Sequence, residues 1–365
     1  MQAATTRLLA IILVTCTAGC RHVLVTTSAF SPGSGVRLID PNDGPFVITS
    51  PSPTDPDTAQ SPFTRSVMWK PIRITTAPDG GPTYEVKADG VRFTLSSKVY
   101  VPVTMPGGRK YLAVMDTGFS HYLYVNDAVV RECDLAVCTF DKNRTTGYPW
   151  GVCEIPSLTL GQTVIETLPC LYEHRYRQLR LLGIPVHTPK TILLGLRFMR
   201  AHAYVHFDSR GRTVRFSLRE AFEPEDASAW VCLPLAFKEI GDNLRMLADL
   251  PLGGRVVQVE FDTGGAKPGL SLKAAAWEQI RHQLDARDAG HGHYRNLQFG
   301  RLPCHRYAVP TLSIGAMNVR NARINVVPQD DPVMQGFDGV LSLNYFRRTA
   351  VVLDFRKNLI WVRKP

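Results

Sequence analysis

Several signatures that commonly announce a function are missing from this 365-residue sequence. It has no G-x-x-x-x-G-K-[ST] phosphate loop, no H-E-x-x-H pair and no C-x-x-C pair. Nucleotide hydrolysis, zincin chemistry and structural zinc therefore lack their usual marks. There is no compact Lys/Arg tract either, although Lys+Arg 42 against Asp+Glu 32 leaves a net charge of +10. That surplus reads as a term of solubility and surface attraction, not as a nucleic-acid footprint. Hydrophobic residues at 44% and charged residues at 20% exclude a disordered chain, and 28 Gly and 26 Pro without a period exclude collagen-like or coiled-coil architecture. At roughly 150 residues per domain, two or three structural units are expected.

The apolar run Leu8 to Val14 is too short to span a bilayer. With Arg7 before it and small residues after it, it has the layout of a secretory signal over 1–19 and predicts export. Thr17-Ala18-Gly19-Cys20 resembles the bacterial lipobox, which would make Cys20 a lipidated first residue and place the chain in the periplasm or on the outer face of a bacterial membrane. Ordinary cleavage and secretion is the alternative. Export gives weight to Cys133, Cys138, Cys153, Cys170, Cys232 and Cys304, because disulfides persist outside the cytoplasm. Six cysteines allow about 15 pairings. Proximity in sequence favours Cys133 with Cys138 and Cys153 with Cys170, leaving Cys232 for Cys304; the plainer reading is that some are small buried hydrophobes.

Residues 20–85 are rich in Pro, Ser, Thr and Gly and cannot form a core of their own. They read as a tether or arm, in which Val36-Arg37-Leu38-Ile39 and Phe46-Val47-Ile48 could each lend a strand. Self-comparison of the rest reveals a duplication. Gly107-Gly108-Arg109, a hairpin turn, leads through Tyr111 to Met115 into Asp116-Thr117-Gly118. Gly253-Gly254-Arg255 leads through Val256 to Phe261 into Asp262-Thr263-Gly264. Two further blocks follow in the same order. Pro156 to Gly161 matches Pro310 to Gly315, and Leu193-Leu194-Gly195, running on to Ala203-Tyr204-Val205, matches Val340-Leu341-Ser342 and Ala350-Val351-Val352. Two lobes, 86–220 and 231–365, joined by an acidic linker at 221–230, are expected. Short β-branched and aromatic runs between Gly/Pro turns make each lobe mainly β. A short helix follows each Asp-Thr-Gly, at Asn126 to Glu132 and at Lys273 to Leu284, the latter with Trp277, Ile280 and Leu284 on one face.

A lone Asp-Thr-Gly is most simply a turn. Two copies, each ending an apolar strand at the same place in a duplicated unit, point to chemistry. Hydrolysing an amide without a metal or a covalent nucleophile requires one group to take a proton from water and another to give one to the carbonyl oxygen. Two facing carboxylates do both, because at close range they share a proton and titrate as a pair. Asp116 and Asp262 are the candidate pair. Thr117 and Thr263 are candidates to hydrogen-bond across the junction, and Gly118 and Gly264 to let backbone N–H groups approach the carboxylates.

On these loops the sequence resembles the aspartic peptidases, the pepsin and retropepsin group, over roughly residues 95–365. The resemblance implies an all-β fold with a few short helices: two β-barrel-like lobes with an active-site cleft between them. It implies an aspartic endopeptidase acting on a peptide or protein substrate as a monomer, with no cofactor, no metal and no nucleic acid. Three departures are visible. Phe119 and Gly265 replace the usual Ser or Thr after the motif, Ser342 replaces a Gly, and no Tyr-Gly-Thr-Gly flap is present. Thr146 to Gly151, with Tyr148 or Trp150 covering the substrate, and Gly290 to Tyr294 are the substitutes. His202 and His206 fall in an apparent strand, Ala201 to Phe207, and His291 and His293 in a polar loop, so neither pair reads as a metal site. The competing function is a catalytically silent peptide- or polysaccharide-binding protein.

Overall fold

The computed structural model describes residues 37–38, 46–49, 66–69, 72–75, 83–86, 92–93, 98–142, 149–173, 179–181, 184–187, 190–240, 243–265, 269–296, 300–346 and 348–364. The chain is mostly β, with a closed six-stranded barrel, a second large sheet and short helices only. It divides into two units: Met1–Pro71, Val125–Ile155 and Pro169–Thr191 form one, and Ile72–Tyr124, Pro156–Leu168 and Ile192–Pro365 form the other. Both Asp-Thr-Gly loops belong to the second. Among the described residues no helix is long and apolar enough to cross a membrane.

The second unit carries, in chain order, β1 (Thr83–Val86), β2 (Val99–Met105), β3 (Arg109–Met115), β4 (Ile192–Leu194), β5 (Tyr204–Asp208), β6 (Thr213–Ser217), β7 (Trp230–Ile240) and β8 (Asn243–Leu252). It continues with β9 (Arg255–Asp262), β10 (Leu270–Lys273), β11 (Arg287–Asn296), β12 (Gly300–Ile314), β13 (Met317–Val327), β14 (Gly339–Ser342), β15 (Ala350–Asp354) and β16 (Leu359–Arg363). Thirteen of these form one sheet, in the order β11-β12-β13-β10-β14-β9-β8-β7-β16-β15-β5-β6-β1. Strand β2 shows why such runs become strands: buried Val99, Val101, Val103 and Met105 alternate with half-buried residues, the period-2 pattern of a sheet with one face in the core.

The duplication appears as a two-fold pattern. The matched strands β5 and β15 pair with each other antiparallel, Tyr204 opposite Asp354 and Asp208 opposite Ala350. Their partners repeat outward on each side, β6 then β1 beyond β5, and β16 then β7 beyond β15. Hairpins β2–β3 and β8–β9 are also equivalent, and both turn through a Gly-Gly pair at positive φ, Gly107-Gly108 and Gly253-Gly254. This is the conformation that matches the right-handed twist of the flanking strands. The first turn is longer by Pro106.

Both expected helices are present but shorter. Helix α1 is Asp127–Glu132, in the first unit; in the second, α2 is Leu196–Arg200 and α3 is Ala274–Ile280, continued as a 3-10 turn to Gln283. Leu284 lies beyond the helix, while Trp277 and Ile280 are buried. In the first unit, Arg37–Leu38 lies parallel to Ala136–Val137, and Phe46–Thr49 pairs antiparallel with Ser66–Trp69, so both apolar runs of the arm do enter strands. His202 is a correction. It precedes β5 and is buried, with Nε2 2.6 Å from the Tyr84 hydroxyl and Nδ1 3.1 Å from the Phe198 carbonyl. His206 sits on the strand among Phe222 and Trp230, so the two rings share no face.

Candidate functional site

Asp116 follows the end of β3 and Asp262 closes β9. Each strand is backed by a parallel partner from the last matched block: β3 by β4, with Val114 opposite Leu193, and β9 by β14, with Asp262 opposite Ser342. The Asp116 amide donates to the Leu194 carbonyl at 2.9 Å, which fixes the loop at the strand end. Thr117 and Thr263, both fully buried, then cross-link the two loops reciprocally. The Thr263 amide donates to Thr117 Oγ1 at 2.9 Å, and the Thr117 amide donates to Thr263 Oγ1 at 3.0 Å. Each hydroxyl passes its own proton on, Thr117 to the Phe261 carbonyl at 2.6 Å and Thr263 to the Met115 carbonyl at 2.9 Å. All four groups are satisfied with no water needed, which locks the loops in register.

The Gly118 amide donates to Asp116 Oδ1 at 3.0 Å and the Gly264 amide to Asp262 Oδ1 at 2.8 Å. Here glycine is required by space. A Cβ on Gly264 would stand 2.2 Å from Asp116 Cγ, and one on Gly118 would stand 3.0 Å from Asp262 Cγ. Each carboxylate thus packs over the glycine of the opposite loop, and the two side chains hydrogen-bond each other. Burial holds the Asp116 carboxyl well above the usual carboxylate range, and the neighbouring Asp262 charge adds to this. Burial raises Asp262 too, while the Gly264 amide, Asp116, Lys98 and Arg245 pull it back. Two close carboxylates in one site behave as a proton-sharing pair.

Each departure has a local physical setting. In the first half, a Cβ on Gly195 would stand 2.2 Å from the His121 carbonyl oxygen, 2.5 Å from the Phe119 carbonyl oxygen and 2.6 Å from the Phe119 ring, so the backbone of the loop after the motif requires glycine there. In the second half, a Cβ on Gly265 would stand 3.0 Å from Ser342 Cβ and 3.1 Å from Asp262 Oδ2, and the Ser342 hydroxyl donates to the Gly265 carbonyl at 3.2 Å while accepting from the Asn344 amide at 3.1 Å.

Around the pair lie charges that motif reading missed. Arg245 on β8 donates from Nη1 to Glu260 Oε1 at 2.8 Å and to the Gly118 carbonyl at 3.4 Å. Glu260 is buried, and burial raises its carboxyl to about 7 against the pull of Arg245. Lys98 acts on both aspartates. Tyr100 opposite Val114 in the first hairpin corresponds to Leu247 opposite Glu260 in the second, so Lys98 and Arg245 stand at equivalent positions. The signals were a cation repeated ahead of each hairpin, hidden by the extra Pro106, and one Glu in the apolar strand before Asp262. A recess of about 110 Å³ opens beside Asp262, lined among others by Arg245, Ser271, Tyr294, Asn325 and Met334. It has room for one small side chain.

Among the other sequence candidates, Tyr148 and Cys20 lie outside the described residues. Trp150, in the first unit, lies in the strand Pro149–Leu160, opposite Phe140. Gly290 to Tyr294 is part of strand β11, not a loop; Tyr294 reaches the recess and donates to Asp331 at 2.6 Å. Cys153 and Cys170 are buried with their thiols hydrogen-bonded, so the expected bridge is not closed. Cys133, after α1, and Cys138 are buried. The expected Cys232–Cys304 bridge is absent: Cys232 is an exposed thiol on β7, whereas Cys304 is a thiol packed with Leu247, Val327, Met334 and Phe337. No three His, Cys, Asp or Glu among the described residues form a metal-holding group.

No family model and no curated protein matches the chain. Among solved structures it is similar to basic 7S globulin from soybean, with a TM-score of 0.39 and 11% identity over 80% of this chain and 95% of that chain. The assignment to the aspartic peptidases of the pepsin and retropepsin group is corrected by these findings. No such family model matches. The resemblance rested on the two Asp-Thr-Gly loops and on the blocks Leu193-Leu194-Gly195 and Val340-Leu341-Ser342.

Proposed function

We propose that the chain is an endopeptidase that hydrolyses peptide bonds with a water activated between Asp116 and Asp262. The observation that carries this reading is the convergence of the two carboxyl groups, each packed over the glycine of the opposite loop and joined by a side-chain hydrogen bond. With one proton between them, one carboxylate takes a proton from water as its oxygen bonds to the carbonyl carbon. The other gives its proton to the carbonyl oxygen. Collapse of the tetrahedral diol breaks the C–N bond; the first group returns its proton to the amine, and the second regains one from the diol. The recess beside Asp262 would receive a substrate side chain and set the register of the scissile bond. The lobes 86–220 and 231–365, and export with lipidation at Cys20, belong to the same proposal.

The test is turnover of unfolded protein substrates by the full chain across pH. The proposal expects a bell-shaped profile with an acidic optimum, unchanged by chelator. A rate that climbs through neutrality and is lost with chelator contradicts it, and a folded protein that binds peptides without cleaving them at any pH supports a binding function instead.

A further inference from the structure

We propose that Arg245, with Glu260 as its partner, decides which aspartate carries the shared proton, holding Asp262 as the base and leaving Asp116 as the acid; this rests on the hydrolytic reading above. The loops are nearly two-fold symmetric, so an acid and a base can be distinguished only by what breaks that symmetry. Three observations break it. First, Glu260 corresponds to Val114, so only the second half places a carboxylate two residues before its aspartate. Second, Arg245, paired with Glu260, lines the recess together with Asp262, and Asp116 is not among the residues that line it. Third, Asp116 is the more enclosed, 7% exposed and pressed against Gly264, while Asp262 is partly exposed and lines the recess. Enclosure favours the neutral acid and a nearby cation favours the anion.

The charged groups facing the pair sort in the same way. Asp116 faces Asp262, Lys98 and Glu260; Asp262 faces Asp116, Lys98, Arg245 and Glu260. Lys98 acts on both members and does not discriminate. Arg245 lowers Asp262, and Glu260, when ionised, raises Asp116; the Asp262 charge in turn raises Glu260, so Glu260 ionises after Asp262. Because burial raises Glu260 to about 7, it is largely neutral at acidic pH, where Arg245 then acts as an uncancelled cation beside Asp262. As pH rises through about 7, Glu260 ionises and helps Asp116 keep its proton. Arg245 therefore governs the acid limb of the activity profile and Glu260 the alkaline limb. Both are positioning residues, acting through the aspartates.

The experiment measures pH profiles of peptide cleavage for the full chain and for Arg245→Met, Arg245→Lys and Glu260→Gln. It also follows the 13Cγ titration of the aspartates in the same proteins, with Asp116→Asn and Asp262→Asn as assignment controls. Arg245→Met should move the acid limb, and the Asp262 titration, upward by about 0.5–1 pH unit, and Arg245→Lys should restore most of it. Glu260→Gln, nearly isosteric and the variant to rely on if Arg245→Met does not fold, should leave the acid limb in place and move the alkaline limb downward. An active wild type whose limbs stay fixed in the variants overturns this inference alone. A folded wild type without activity overturns the hydrolytic reading, and the carboxyl titrations still decide the proton assignment. A first-ionising Asp116 contradicts it.

Discussion

At the scale of single residues, the account turns on where a Cβ can be placed. Gly264→Ala puts a methyl group into the Asp116 carboxyl, so it should lower cleavage by at least about 100-fold, since a displacement of an ångström at a reacting group has that effect. Steady-state rates check this, with thermal unfolding as the control. Gly265→Ser should be destabilising, by about 1–3 kcal/mol, because its Cβ meets Ser342 Cβ at 3.0 Å and Asp262 Oδ2 at 3.1 Å. Urea unfolding checks this, and an unchanged midpoint would contradict it.

At the scale of elements, two strand-ended loops are tied through Thr117 and Thr263. Thr117→Val removes an acceptor for the Thr263 amide and a donor to the Phe261 carbonyl, leaving both buried groups unpaired. It should cost about 1–3 kcal/mol per orphaned group in urea unfolding, and Thr263→Val should cost a similar amount. The singles remove different bonds, but the double variant should be less damaging than the sum, because once one cross-link is lost the loops can separate and water can reach the remaining orphaned groups. Much at this scale was legible in the sequence. The Gly-Gly turns, the Asp-Thr-Gly repeats, the supporting blocks at Leu193 and Val340 and the helix around Trp277 are local patterns, and they recur as hairpins, loops, parallel partners and α3. What was not legible depended on spatial neighbours. Lys98 and Arg245 became equivalent only when the hairpin registers exposed the extra Pro106. Glu260 drew no notice inside an apolar strand until Arg245 was found beside it. His202 looked like strand because Ala201 to Phe207 is apolar, but its ring turns back to Tyr84 and Phe198. The cysteines carried no pairing information, since a buried thiol such as Cys304 and an exposed one such as Cys232 look alike in sequence.

At the scale of the whole molecule, stability and activity respond to acid through different groups. His202 accepts from the Tyr84 hydroxyl and donates to the Phe198 carbonyl as a neutral ring, and burial lowers it to about 4. The unfolded chain takes up this proton near the ordinary value of about 6.5, whereas the folded chain resists until about 4. Stability is therefore lost as pH falls through that window, by about 3 kcal/mol for this group. Glu260 works oppositely. Its raised carboxyl contributes stability below about 4.5 that is lost as pH rises towards about 7. Urea unfolding at several pH values should show a shallower acid loss in His202→Gln than in the wild type, and an equal slope would show that His202 is not held neutral. The central claim, that Asp116 and Asp262 act as one unit on one water, is tested most directly by comparing peptide cleavage in the full chain, Asp116→Asn, Asp262→Asn and the double variant at acidic pH. The account predicts that each single substitution abolishes cleavage while folding and peptide binding persist, and that the double variant is no worse than either. Cleavage that survives either substitution would contradict it.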